Sequence, residues 1–247
     1  VATAKVRHYD NVLQMQLSEE NIPTQVYDTL VAEVNAALPT LYRYFDLRGE
    51  MLGLEQMHYY DIYPPLVELD LVFDIETSRD ITLAALTPLG DEYLEPMKAV
   101  ANSDWIHVYP QQGKRSGAYM NGSGYDVHPY VLLNHNDDFN SMSTYAHELG
   151  HAVHTLLTTD KQPFEKSDYS TFIAEIASQI NEILLEEYMI ANAQSDEERL
   201  FYLGYSLESM RGSFYRQTMF SEFEHSIHKA VEAGEPLSGQ RMNEIYG

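Results

Sequence analysis

Between Trp105 and Asn134 the chain changes its periodicity, and this constrains the fold more than any other feature. Short runs rich in β-branched and aromatic residues stand at Trp105–Tyr109, Gly117–Met120 and Tyr130–Asn134, separated by Gly, Asn, Pro and Asp. Apolar residues recur at helical spacing on both sides of that stretch. Upstream, Val26, Leu30, Val31 and Val34 predict a helix with Thr24 as its cap after Pro23. Pro39 is a possible kink, and Leu41, Tyr42, Phe45 and Leu52 carry the stripe to Gly53. Residues 57–75, with Pro64-Pro65, predict an extended connection. Ser78 with Asp80 predicts the start of a short helix ending near Pro88, and Asp91 the start of another reaching about Ala101. Downstream, helices are predicted over about 141–158, about 169–193 after a Ser167/Asp168 cap, and about 196–233 after Ser195. Gly234 and Pro236 stop the last of these, and a further helix starts at Ser238. The class that follows is mostly α with a small β-sheet (α+β): a helical part over 1–104, a small sheet over 105–135, and long helices over 136–247.

Composition narrows the chemistry. The 247 residues carry 15 Lys+Arg against 38 Asp+Glu, a formal net charge of −23. Such a surface repels phosphates and anionic lipid, so nucleic acid and membrane are excluded as expected partners. No apolar run of 18 residues and no basic-then-apolar opening segment occurs, which predicts a soluble chain. A hydrophobic content of 44% is too high for disorder. With no cysteine, disulfides, thiol catalysis and thiolate-bound metals are excluded, a reducing, cytoplasmic setting fits, and any metal must be held by His, Asp or Glu.

That restriction gives weight to His147-Glu148-Leu149-Gly150-His151, inside the helix predicted over 141–158. Positions i and i+4 share a helix face, so both imidazoles can reach one ion. Glu148 is rotated away from that pair, so it can hold a water that the metal activates without being a ligand. Gly150 in mid-helix costs roughly 1 kcal/mol relative to Ala, and close approach of a neighbouring element is a reason to keep it. A catalytic zinc needs a third protein ligand, and Glu175 on the following helix is the candidate, brought back by an antiparallel return. This predicts one zinc held by His147, His151 and Glu175, with Glu148 as general base: hardware for peptide hydrolysis. His154, at i+3 from His151, is either a partner behind a ligand or a core residue. Glu182, Glu186 and Glu187 read as the solvated face of their helix.

Other patterns compete. Glu148-x-x-His151 and Glu222-Phe-Glu-His225 are two Glu-x-x-His motifs on separate helices, which is the formula of a di-iron carboxylate bundle. That reading leaves His147 idle and gives the 105–135 region no place. His225 and His228 read as surface residues beside Glu224 and Lys229. Gly113-Lys-Arg-Ser116 is not a phosphate loop, because Val108 stands where the earlier glycine is required.

Further segments extend the pattern along nearly the whole chain: Tyr60-Asp-Ile-Tyr-Pro-Pro-Leu66, Leu86-Thr-Pro-Leu-Gly-Asp-Glu-Tyr93, Gly113-Lys-Arg-Ser-Gly-Ala-Tyr119 and His128-Pro-Tyr-Val-Leu-Leu-Asn134. With His147-Glu-Leu-Gly-His-Ala-Val-His154, Phe172-Ile-Ala-Glu-Ile-Ala-Ser-Gln179 and Phe220-Ser-Glu-Phe-Glu224, they resemble the oligoendopeptidase F branch of the thimet-oligopeptidase family of zinc metallopeptidases. The resemblance implies a zincin-like, mostly helical fold with a channel that admits short peptides, whose internal bonds are cut. It implies that His147, His151 and Glu175 bind zinc, that Glu148 is the base, and that Ser178 and Gln179 stand beside the third ligand. Substrate backbone is expected to add along a sheet edge near the metal, with Gly117-Ala118-Tyr119 and His128-Pro129-Tyr130 as candidates. The alternative is that Gly117 and Pro129 only shape turns. In this family a His- and Tyr-rich segment downstream completes the site, and a helical region precedes the part matching Val1. The chain ends at Gly247, so it is expected to be the catalytic-region portion of a larger metallopeptidase. Tyr202, Tyr205 and Tyr215 lie before that position and read as packing residues. A zinc-binding portion that is inactive by itself is a third reading.

Overall fold

The computed structural model describes residues 1–247. In chain order the helices are α1 (Ala2–Val6), α2 (Val12–Glu19), α3 (Thr24–Leu52), α4 (Ile75–Ala85) and α5 (Asp91–Ala101). Three short strands follow, β1 (Ile106–His107), β2 (Tyr119–Asn121) and β3 (Tyr130–Leu132). Then come α6 (Phe139–Lys161), α7 (Thr171–Asn192), α8 (Asp196–Met210), α9 (Arg216–Glu232) and α10 (Gly239–Tyr246). The fold is mostly α with one small sheet. The chain forms two compact units, one of Glu68–Tyr202 and one of Val1–Val67 with Leu203–Gly247. No helix is long and apolar enough to cross a membrane.

The first unit is built around α6. Met142, Tyr145, Ala146, Leu149, Ala152 and Val153 follow the i, i+3, i+4, i+7 rhythm and are all buried. Tyr145, Leu149, Ala152 and Val153 join Leu86, Leu94, Met97 and Val100 around α5 and Val131 and Leu133 around β3 in one core. Each large apolar side chain buried there contributes about 1.5–3 kcal/mol. The sheet order is β1-β3-β2, with β1 parallel and β2 antiparallel to β3. Residues Tyr119, Met120 and Asn121 of β2 face Leu132, Val131 and Tyr130. One edge of β2 is therefore unpaired, whereas β3 is paired on both sides.

Helices α6 and α7 pack closely and run antiparallel. Gly150 is the reason they can: a Cβ there would lie 2.8 Å from the Ser178 Cα and 2.9 Å from the Ala177 carbonyl oxygen. Asn181 reinforces the crossing by donating from Nδ2 to the Ala146 carbonyl at 3.0 Å and accepting from the Tyr93 hydroxyl at 2.8 Å.

Several helix boundaries differ from the sequence expectation. Pro23, not Thr24, is the N-cap of α3, and Pro39 is accommodated inside that helix. Asp74, not Ser78, caps α4 by accepting from the Thr77 amide at 2.8 Å. Ser78 is buried, donating to the Phe73 carbonyl at 3.0 Å and lying 3.2 Å from His135 Nε2. Ser170, rather than Ser167 or Asp168, caps α7, because Ser167 closes the preceding turn onto the Phe164 carbonyl. The helix expected over 196–233 is interrupted by a π-turn at Arg211–Tyr215. Asp91, Gly234 (φ +85°) and Ser238 act as anticipated.

Candidate metal centre

Asp138 opens α6 by accepting from the Ser141 amide at 2.7 Å, and the helix then presents His147 and His151 one turn apart. Their Nε2 atoms stand 3.1 Å from each other. Glu175, reaching across from α7, places Oε2 3.5 Å from His147 Nε2 and 3.7 Å from His151 Nε2. One ligand atom from each of the three residues lies within 4.8 Å of the others. Ser178 Oγ donates to Glu175 Oε2 at 2.9 Å and so fixes that carboxylate from behind.

Glu182 is the residue sequence reasoning misassigned. It does not lie on a solvated face: Oε2 is 3.1 Å from His147 Nδ1, and Oε1 accepts from Ser143 Oγ at 3.3 Å. It stands seven residues after Glu175, two helical turns on the same face, and that phase is the signal that could have located it. By holding the Nδ1 proton, Glu182 leaves His147 Nε2 with its lone pair turned toward His151 and Glu175. Glu186 is also buried, whereas Glu187 is exposed.

Protonation follows from these contacts. Burial pulls the His147 imidazole down, but the Glu182 carboxylate, with Glu148 and Glu175 adding to it, makes the net shift upward. Burial and the neighbouring His147 push His151 down. Glu148 is buried, with Oε2 lacking any partner. Burial raises its carboxyl to about 7, with His147 and the Met120 backbone opposing the shift and Glu175 adding to it. A carboxyl held near neutrality beside two imidazoles can both take and return a proton at ordinary pH.

The remaining candidates lie at differing distances from this chemistry. His154 stacks on Tyr169 with ring centres 4.1 Å apart, and its Nδ1 has no partner. Gln179 is exposed and makes no hydrogen bond to the cluster. Gly117 (φ +85°) and Ala118 lead into β2, where Tyr119 is exposed beside the unpaired edge. His128 stacks face to face on Trp105, 4.3 Å between ring centres, and leans on Tyr130. The His128–Tyr130 segment has no free edge, because Val131 of β3 pairs with both Ile106 and Met120, and the free edges of the sheet belong to β1 and β2. For the di-iron alternative, His225 packs edge-on against Tyr27 and Glu222 accepts from Asn35, with no third ligand gathered beside them.

The model of peptidase family M3 matches residues 1–247. The chain belongs to peptidase family M3. Among its M3 relatives, oligopeptidase PepF of Bacillus subtilis is 42% identical over 244 residues, covering 98% of this chain and 36% of that protein. An oligoendopeptidase F homolog of Lactococcus lactis is 40% identical, covering 99% of this chain and 40% of that protein. The solved oligoendopeptidase-F of Enterococcus faecium superimposes with a TM-score of 0.65 at 31% identity, covering 98% of this chain and 37% of the other. A solved chain from Chlamydophila abortus gives a TM-score of 0.83 at 36% identity, covering 98% and 41%. The M3 chain described here thus spans roughly two fifths of the length of these relatives.

Proposed function

We propose that this chain holds the catalytic centre of a zinc-dependent endopeptidase acting on internal bonds of short peptides. The observation that carries the proposal is the convergence of His147 Nε2, His151 Nε2 and Glu175 Oε2 beside the unpartnered Oε2 of Glu148. The donor set suits zinc: a tetrahedral ion with bonds of about 2.0–2.1 Å spaces its ligands about 3.3 Å apart, close to the 3.1, 3.5 and 3.7 Å found here. When bound, zinc supplies Lewis-acid activation of water and of the scissile carbonyl. Two imidazoles and one carboxylate leave its charge only partly neutralised.

The chain's own groups do the rest. Glu148 Oε2 accepts the proton of the attacking water and passes it to the nitrogen of the leaving amine. Glu182 keeps His147 in the tautomer with Nε2 free, and Ser178 keeps Glu175 Oε2 aimed at the same point. The unpaired edge of β2, from Gly117 through Tyr119, offers backbone groups to an extended peptide beside Glu148, since the Met120 backbone already reaches that carboxylate. The stacked pair of His128 and Trp105, with Tyr130, forms an aromatic surface on the same sheet for substrate side chains.

Glu148→Gln tests the assignment. The variant is expected to bind one zinc per chain, as the parent does, and to lose about 10²- to 10⁴-fold in cleavage of a quenched peptide. Equal cleavage by variant and parent would remove Glu148 as the base. Zinc binding with no cleavage by the parent chain would leave a binding centre only.

A further inference from the structure

The Gly113-Lys-Arg-Ser116 motif, which is no phosphate loop, has a different role in the structure. Lys114 Nζ donates to the His107 carbonyl at 3.1 Å, the Tyr109 carbonyl at 2.7 Å and the Leu133 carbonyl. Asn134 Nδ2 donates to the carbonyls of Arg115 and Gly117 at 2.9 and 2.7 Å. The loop between β1 and β2 is thus clamped, although it has no regular structure. Three carbonyls take up the ammonium protons, but no carboxylate balances the charge. The same bias shows along the chain: Asp126 is the one acidic residue in 105–136, in a protein with 38.

A cavity of about 530 Å³ opens over this loop, within the usual range for ligand pockets. Gln111, Lys114, Ser116, Asn134 and Thr144 line it, and none of its lining side chains is a carboxylate. Its place relative to the metal centre is set from two sides. Thr144 is one turn before Glu148 on the same face of α6. Ala118, also lining the cavity, is two residues before Met120, whose backbone reaches Glu148. An extended peptide on the β2 edge advances about 3.3 Å per residue. A side chain two residues from the bond at Glu148 therefore lies over the cavity, facing amides, hydroxyls and an unbalanced ammonium.

We propose that this cavity is a subsite for a carboxylate carried by the bound peptide about two residues from the bond that is cut. The proposal rests on the peptidase reading of the metal centre. The carboxylate can come from an Asp or Glu side chain or from a free peptide C-terminus, since both bring two acceptor oxygens to Gln111, Ser116 and Thr144 and a negative charge to an ammonium whose own protons are held by carbonyls. The subsite would select anionic peptides locally, although the net charge of −23 steers cationic ones at long range.

The test uses matched heptapeptides with Glu, Gln or Lys scanned through each position, with free or amidated C-termini. Cleavage by the zinc-loaded chain and binding by fluorescence anisotropy are both read. At one position about two residues from the cut, Glu is expected to exceed Gln about tenfold in kcat/KM and in affinity, with Lys poorer still. A tenfold gain from the free C-terminus alone supports the subsite and identifies the terminal carboxylate as its ligand. Ser116 is exposed and makes no hydrogen bond, so Ser116→Glu changes charge without disturbing the clamp. It is expected to invert the preference, favouring Lys over Glu about tenfold. Equal treatment of Glu, Gln and Lys at every position with amidated and free termini alike, or an unchanged preference in Ser116→Glu, overturns the subsite. If no peptide is cleaved yet Glu binds more tightly than Gln, the subsite stands and the peptidase reading falls. If no peptide binds, the subsite falls.

Discussion

Two clusters of charge differ in what their groups are paired with. In the unit formed by Val1–Val67 and Leu203–Gly247, Arg48 is only 1% exposed, and nearly every group around it is answered from within. Its guanidinium donates to the Asp61 and Pro64 carbonyls at 3.1 and 2.6 Å and pairs with Glu208 at 3.3 Å. The other Glu208 oxygen takes Arg211 at 2.7 Å, and Tyr44 donates to the first at 2.6 Å. In the unit formed by Glu68–Tyr202, Glu148, Glu175 and Glu182 face two imidazoles, and no Lys or Arg pairs with them. Lone pairs converge there, and a carboxylate oxygen is left without a partner. The first cluster buries charges for one another. The second turns them, Glu148 buried and Glu175 and Glu182 part-exposed, toward a place suited to a cation, as expected of a binding site and not of a structural strut.

The contrast breaks most sharply under Arg48→Ala. Loss of the ion pair, two carbonyl contacts and the buried volume is expected to cost about 3–5 kcal/mol of stability, read by urea unfolding. Zinc affinity, measured by chelator competition on the folded fraction, is expected to be unchanged. A parallel loss of zinc affinity would mean that the two clusters are not independent.

Next in size is the pH dependence of the metal-free chain. Glu148 has its carboxyl raised from 4.5 to about 7 by burial. The folded state therefore holds a proton that the unfolded state releases, and stability falls as pH rises between those two values. In Glu148→Gln this loss is absent. The variant is expected to match the parent near pH 4 and to be more stable by about 3 kcal/mol at pH 8. Equal stability at both pH values would show that the carboxylate is better solvated than its buried position implies.

Gly150→Ala probes the backbone that brings the ligands together. The added methyl would meet α7 backbone at 2.8–2.9 Å, where no flexible side chain can yield. An overpacking cost of about 1–3 kcal/mol is expected, together with weakened zinc binding, because parting α6 from α7 moves Glu175 away from both histidines. Retained stability and zinc affinity would mean that the helices separate without cost.

How much of this was legible beforehand depends on how local each feature is. His147 and His151 share one helix, so their spacing is sufficient to pair them. Gly150 shows in the sequence as a mid-helix anomaly, and the structure supplies its contact. Glu175 needs an antiparallel return, which the short connection between α6 and α7 makes readable. The helix starts at Ser78 and Ser167 differ because those side chains bond to tertiary or turn partners, and α3 starts at Thr24 after Pro23 without any side-chain cap. The role of Lys114 is hidden for a related reason, since its three acceptors are His107 at the end of β1, Tyr109 beyond it and Leu133 just after β3. A cationic motif in sequence reads as a hydrogen-bonding ligand site, and only the fold shows its protons held by carbonyls, with its charge and not its N–H groups left to act on the cavity.

Glu182 shows itself through helical phase and not through polarity, and it gives the smallest and most specific test. Its carboxylate is 3.1 Å from His147 Nδ1 and is not itself among the converging ligand atoms. Glu182→Gln keeps size and one acceptor oxygen but removes the charge that holds the imidazole proton on Nδ1. Loss of such a partner is expected to weaken zinc binding about 10- to 100-fold, while urea stability of the metal-free chain moves little. The same change lets His147 titrate lower, because burial is then opposed only by Glu148 and Glu175. An NMR titration of that imidazole in the metal-free variant should therefore move its midpoint down. If zinc affinity falls while the imidazole midpoint stays in place, Glu182 acts through packing and not through its charge on His147.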